Sequence, residues 1–160
     1  MTVFYSPIEV IEMAIKIEER GNEFYLNASK KTKSTPLKTL FNFLAGEELK
    51  HQKTFKALYK LIDQEIQSLP YNWDEASRYL QAITDSRFFL SEFNPMSYLN
   101  RIKTEISLLK YAIEFEKETL LFYYEIKNFV KDEHKSLVDK IIDQEKQHIK
   151  KLSIMKENRT

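Results

Sequence analysis

The chain has 160 residues and a mass of 19.2 kDa, enough for one domain whose core needs no covalent staple. It contains no cysteine, which excludes disulfides, thiol nucleophiles and every thiolate-held zinc, iron or iron–sulfur centre within these residues. With 25 Lys+Arg against 24 Asp+Glu and only two glycines, it has neither the basic excess of a nucleic-acid binder nor a glycine-rich phosphate loop. Residues 1–9 lack the basic flank and apolar run of a secretory leader. No stretch approaches the roughly 18 uninterrupted apolar residues of a membrane span, so a soluble, cytoplasmic protein is expected.

The first helix opens at Ser6-Pro7-Ile8-Glu9, with serine as N-cap, proline at the first helical position and glutamate three residues after the cap. It is expected to run to about Lys31. Thr35-Pro36 repeats the signal and predicts a second helix to about Ser68, ahead of Pro70. Residues 69–103 read as a connection. It holds one short helix, from Asp74 as cap to about Thr84, and an aromatic loop with Phe88, Phe89 and Phe93. A third long helix is expected from near Thr104 to about Val130. A fourth follows the turn at Asp132 to His134 and runs to about Lys156. The short links make residues 6–68 and 104–156 two antiparallel hairpins, and 69–103 a crossover that returns the chain to its starting end. The expected architecture is a single all-α domain over residues 1–160, a four-helix bundle with one long crossover between helices two and three.

An internal repeat supports the two hairpins. Ala14-Ile15-Lys16-Ile17-Glu18 and Phe24-Tyr25 match Ala112-Ile113-Glu114-Phe115-Glu116 and Phe122-Tyr123, while Glu48-Leu49-Lys50-His51 matches Glu145-Lys146-Gln147-His148.

The inward stripe of each helix, taken at alternating spacings of three and four, is apolar until its middle. Helix one reads Ile11, Ala14, Glu18, Gly21, Tyr25, Ala28, and helix two reads Leu37, Phe41, Leu44, Glu48, His51, Phe55, Leu58, Ile62. Helix three reads Leu109, Ala112, Glu116, Thr119, Tyr123, Ile126, and helix four reads Val138, Ile141, Glu145, His148, Leu152, Met155. Four carboxylates and two imidazoles are thereby aimed into one interior. Isolated carboxylates there cost several kcal/mol each and repel one another. Protons could relieve that cost by raising the glutamate pKa values. Two divalent cations would balance the four negative charges and also account for the histidines, which protons do not. Glu-x-x-His sets carboxylate and imidazole one turn apart on one helix face, so that the carboxylate can bridge two metals while the imidazole completes one. Glu18, Glu48, His51, Glu116, Glu145 and His148 are the expected ligands.

A glutamate from each of two helices and Glu-x-x-His from each of two others is the pattern of ferritin-like dimetal proteins. On Glu18…Glu48-x-x-His51…Glu116…Glu145-x-x-His148 the sequence resembles the ferritin-like superfamily, and within it the rubrerythrin-type di-iron proteins, across all four helices. It is also similar to small stand-alone relatives with Asn-Trp-Asp-Glu in the crossover, here Asn72-Trp73-Asp74-Glu75. The resemblance implies two iron ions, a small-molecule oxidant (hydrogen peroxide or dioxygen) and a homodimer of a cytoplasmic protein. Carboxylate–imidazole sites also accept manganese and zinc. Two departures bear on turnover. Typical rubrerythrins pass electrons from a cysteine-ligated rubredoxin domain; without cysteine, a separate electron donor protein is expected. They also carry a further glutamate three residues after the helix-three ligand, where this chain has Thr119, with Gly21 its counterpart in helix one. An oxidoreductase and a metal-binding protein without turnover, handling iron or holding structural zinc or manganese, are therefore both open.

Tyr25 and Tyr123 follow Glu18 and Glu116 by seven residues, two turns. They are either donors to ligand carboxylates or core aromatics. Phe88, Phe89, Phe93 and Tyr98 are expected to pack the crossover onto the bundle. His134 reads as a surface residue, and Lys30-Lys31-Thr32-Lys33 as a basic helix end with no nucleic-acid role.

Overall fold

The computed structural model describes residues 5–65, 72–85 and 95–160. Its elements are α1 (Pro7–Lys31), α2 (Thr35–Asp63), α3 (Trp73–Thr84), α4 (Pro95–Arg101), α5 (Glu105–Ile126) and α6 (Asp132–Glu157). No strand occurs among the described residues.

The start of α1 follows its sequence signal. Ser6 Oγ accepts the Glu9 amide at 3.3 Å and Glu9 returns the bond to the Ser6 amide at 2.7 Å, a complete capping box. The second helix begins one residue from its expected frame. Ser34 is the N-cap, accepting from the Leu37 amide, with Thr35 and Pro36 already helical. α2 stops at Asp63, ahead of the expected Ser68, which lies outside the described residues. α5 starts after the Thr104 cap as expected but closes at Ile126, four residues before Val130. There the chain turns through Asn128 N–H to Glu125 O at 2.9 Å and Phe129 N–H to Ile126 O at 2.8 Å. Asp132 to His134, expected as a turn, form the first turn of α6.

α1 packs along α2 and α5 along α6, and the pairs meet through α1 against α5 and α2 against α6. Among the described residues the crossover carries two helices rather than one. α3 begins at Trp73, with Asn72 and not Asp74 at the cap position, and Asp74 and Glu75 favourably placed in its first turn. α4 was absent from the sequence expectation because its seven residues are too short to show a helical period. α3 covers α5, and α4 lies on α1, where Lys31 Nζ donates to the Leu99 carbonyl. Tyr98 stacks on Tyr111 with centroids 3.8 Å apart, as expected of a crossover aromatic packing onto the bundle. Phe88, Phe89 and Phe93 lie outside the described residues.

One end of the bundle is tied by polar side chains at the ends of four helices. Thr32 Oγ1 donates to Glu105 at 2.9 Å, while Arg159 donates to Glu105 at 3.3 Å and to Ser34 Oγ at 2.8 Å. These contacts fix the α1–α2 turn against the start of α5 and the end of α6. Every residue of the four inward stripes is buried except Met155, which is partly so. Glu19, beside Glu18, has a side chain 53% exposed, whereas Glu18 has none, so the inward frame of α1 is the one that carries Glu18.

Candidate metal centre

Midway along the bundle, Glu18 from α1, Glu48 and His51 from α2, Glu116 from α5, and Glu145 and His148 from α6 converge. All six expected residues are brought together. The carboxylates are fully buried and the histidines 2% exposed. Their donor atoms form two overlapping groups, Glu18, Glu48, His51, Glu145 and Glu48, Glu116, Glu145, His148, each with one atom per residue and all atoms within 4.8 Å of one another. Glu48 and Glu145 belong to both groups, so the cluster is two four-residue sets sharing two carboxylates.

The histidines address the carboxylates through Nδ1. His51 Nδ1 lies 2.9 Å from Glu145 Oε1 and 3.6 Å from Glu18 Oε2. His148 Nδ1 lies 2.8 Å from Glu145 Oε2, 3.3 Å from Glu48 Oε1 and 3.8 Å from Glu116 Oε1. The rings face each other at 5.6 Å and 20°. Tyr25 donates to Glu116 Oε1 and Tyr123 to Glu18 Oε1. Both phenols are therefore carboxylate donors, but each serves the glutamate of the opposite hairpin rather than the one on its own helix. Each fixes one carboxylate oxygen and leaves Oε2 buried without a hydrogen-bond partner. Tyr25 stacks on Phe41 and Tyr123 packs on Phe55, which puts an aromatic layer on either side of the charged one.

Glycine is required at one point. A Cβ on Gly21 would lie 2.7 Å from Glu48 Oε2 and 3.2 Å from Phe115 Cε1, so the bare backbone of α1 makes the space in which the Glu48 carboxylate sits. Its repeat counterpart, Thr119, is fully buried with a hydroxyl that has no hydrogen-bond partner.

Electrostatics without a cation are unfavourable for most of the acids. Burial, then the negative charge of Glu48, pushes the Glu18 carboxyl well up, and burial with Glu145 and Glu48 does the same to Glu116. Burial and Glu145 also raise Glu48. Glu145 is the exception. Burial alone would raise it, but contact with His148 and His51 outweighs burial and holds it far below the usual carboxylate range. The histidines respond in kind. Burial would lower them, yet Glu145 and Glu18 push His51 up to about 11, and Glu145 and Glu48 push His148 up to about 9. Both phenols are raised well above 10 by burial and then by the carboxylate each one touches.

The residues present fit a pair of divalent cations. Glu18 Oε2, both oxygens of Glu48 and of Glu145, Glu116 Oε2 and Nδ1 of both histidines are buried without an aligned hydrogen-bond partner. Buried polar atoms are rarely left so. Here they point at one another, and the carboxylate–imidazole donor set is one that iron, manganese and zinc accept.

A second acid–imidazole group corrects the reading of His134. It is buried, with Nε2 2.9 Å from Glu65 Oε1 and 3.6 Å from Glu133 Oε1. The end of α2 covers it, a contact between positions 69 apart that no local pattern reveals. Lys131 reaches the same Glu65 at 3.3 Å, and the His134 hydrogen bond together with Lys131 holds that carboxyl below its usual range. Positive charge is already supplied there. Two residues at the main site were also missed by the sequence reading, Glu47 and Gln144; each directly precedes a shared glutamate, and the internal repeat itself pairs them. Among the described residues no helix is long and apolar enough to cross a membrane.

Residues 9–156 match the sequence model of the Rubrerythrin family. A crystal structure from Thermotoga maritima, described as that of a ferritin-like diiron-carboxylate protein, is similar over 98% of both chains, with 30% identity and a TM-score of 0.72. No curated protein matches the chain.

Proposed function

The chain belongs to the rubrerythrin family, with the ferritin-like fold, and from that premise we propose that it is a non-haem di-iron protein that reduces hydrogen peroxide or dioxygen with electrons from a separate donor. The observation that carries this reading is the pair of four-residue sets sharing Glu48 and Glu145. Glu18 and His51 would complete one ion, Glu116 and His148 the other, and Glu48 and Glu145 would lie between the two. When bound, a ferrous pair supplies two electrons to an oxidant, one from each iron.

The chain's own residues do the rest. Tyr25 and Tyr123 hold Glu116 and Glu18 by one oxygen each, so the other oxygen is presented to the interior at little further entropic cost. Gly21 leaves Glu48 room beside α1. The aromatic layers of Tyr25 with Phe41 and Tyr123 with Phe55 keep water from the cluster, which strengthens every charge interaction inside it. Loading requires His51 and His148 to give up their Nδ1 protons and Glu18 and Glu116 to ionise, so protons leave as cations arrive. These 160 residues include no cysteine to hold an electron-carrying iron, so the donor in this reading lies outside them.

The test is anaerobic ferrous loading followed by a stoichiometric addition of peroxide. A near-ultraviolet ferric charge-transfer absorption, with peroxide consumed, supports reduction. Uptake of iron with no absorption change and no consumption would leave only a metal-binding role. Thr119, a buried hydroxyl where typical rubrerythrins carry a further glutamate, favours that second reading. In it the same six residues hold iron for handling, or zinc or manganese structurally, without turnover.

A further inference from the structure

Each site histidine has a second ring nitrogen, and the two are treated differently. His51 Nε2 lies 3.0 Å from Gln144 Oε1, across the α2–α6 contact. An amide oxygen only accepts, so His51 must carry its proton on Nε2, and a neutral ring then has its lone pair on Nδ1, the atom that faces Glu145 and Glu18. His148 Nε2 is buried and has no hydrogen-bond partner. The acid nearest to playing the part of Gln144 there is Glu47. It precedes Glu48 as Gln144 precedes Glu145, and the repeat that carries His51 onto His148 carries Glu47 onto Gln144. One Glu47 carboxylate oxygen lies within 4.8 Å of a ring nitrogen of each histidine. Glu47 accepts from Lys50 at 2.7 Å, whose side chain is 73% exposed, a surface pair that is readily given up. Both acceptors line the groove between α2 and α6 that also exposes Phe43.

We infer that Gln144 and Glu47 are positioning residues, each accepting the Nε2 proton of the histidine on the facing helix, so that Nδ1, aimed at the carboxylates, is the nitrogen that gives up its proton when a cation enters. The inference rests on the metal-pair reading and deepens it: the two halves of the centre are inequivalent, because one acceptor is a neutral amide and the other a carboxylate. An anionic acceptor makes an imidazole the more basic ligand. The position completed by His148 therefore binds a divalent cation more tightly than the position completed by His51.

Zinc titration against a chromophoric chelator, with nitrogen-15 spectra of the histidine rings in the zinc-loaded protein, tests this on the wild type, Gln144→Ala, Gln144→Glu and Glu47→Ala. Gln144 is exposed and Glu47 only part-buried, so these variants fold. The wild type takes up two zinc ions in separable steps, with both rings protonated at Nε2. Gln144→Ala weakens the His51 position by roughly 10–100-fold, leaves the other within about threefold and mixes the His51 tautomers. Glu47→Ala does the same to the His148 position. Gln144→Glu restores the His51 tautomer and brings the two affinities together. Two zinc ions bound by the wild type, with affinities and tautomers unmoved in both alanine variants, would overturn the inference while leaving the metal pair intact. No zinc uptake by the wild type would remove the metal pair and the inference with it.

Discussion

The two hairpins place the same ligand types in the same register, yet they do not build the same half-site. In α1–α2 the position three residues after Glu18 is Gly21, whose missing Cβ makes space for Glu48; in α5–α6 the position three after Glu116 is Thr119, with a buried and unpartnered hydroxyl. Ahead of the shared glutamate one hairpin has the acid Glu47 and the other the amide Gln144. A repeated unit thus conserves the charge-bearing stripe and varies what surrounds it. The difference shows where this molecule can distinguish two ions held by matching sets of residues.

The sharpest way to break the symmetry is to remove ligands singly. Glu48→Ala or Glu145→Ala takes a group from both four-residue sets and is expected to abolish uptake of both ions. That loss exceeds the roughly 10–100-fold cost of losing an outer hydrogen-bond partner. Glu18→Ala or Glu116→Ala touches one set and should leave one ion bound. Elemental analysis after equilibrium dialysis reads the stoichiometry, and equal losses from all four variants would show that the sets are not divided as assigned.

Chelation tests whether the ions hold the hairpins together. With metal at about a thousand times its dissociation constant, binding to the folded state alone adds about 4 kcal/mol, or on the order of 10 °C in Tm for a chain of this size. Calorimetry before and after exhaustive chelation measures the shift, and an unmoved Tm contradicts it.

The pH dependence should differ between the two forms. In the metal-free protein His51 and His148 are raised to about 11 and about 9 from 6.5, so the stability they add is complete below about pH 6.5 and lost as pH rises through those values. Glu18, Glu48 and Glu116 are raised above 4.5, so burying them costs more as pH climbs past that value. Glu145 is depressed and opposes this only below its ordinary value of 4.5, where its contribution is lost as pH falls. The metal-free Tm should decline from mildly acidic to alkaline pH. Cations compete with these protons, so metal affinity should rise, and the gap between loaded and chelated Tm should widen over the same range. A constant gap would count against proton displacement.

The smallest effects fall on the unequal pair. Gly21→Ala gains up to about 1 kcal/mol of helix propensity but drives a methyl against Glu48, so metal-free stability should change little while affinity falls. Thr119→Ala removes an unpartnered hydroxyl and should alter stability by less than about 1 kcal/mol in either direction. Denaturant titration of the metal-free variants checks both.

The inward stripes were legible because a single helix states its own facing residues: the three-four spacing put Glu18, Glu48, Glu116 and Glu145 in line with leucines and phenylalanines, and burial follows that frame. What one helix cannot state is its offset against another. Tyr25 could be placed two turns from Glu18 on α1, but only the packing of the hairpins brings its hydroxyl to Glu116. His134 sits near a helix start, where surface residues are common, and is buried by Glu65 from a distant element. Gln144 was hidden for a related reason, being polar and exposed until its partner across the α2–α6 contact is known.

The claim beneath all of this is that the carboxylates and imidazoles meet because two cations belong among them. Anomalous diffraction at the iron edge from crystals loaded anaerobically with ferrous ion tests it most directly. Two iron peaks are expected, one beside Glu18 and His51 and the other beside Glu116 and His148, with Glu48 and Glu145 reaching both. A fully loaded crystal with no anomalous density at the cluster, its six side chains joined only by protons and water, would contradict the account.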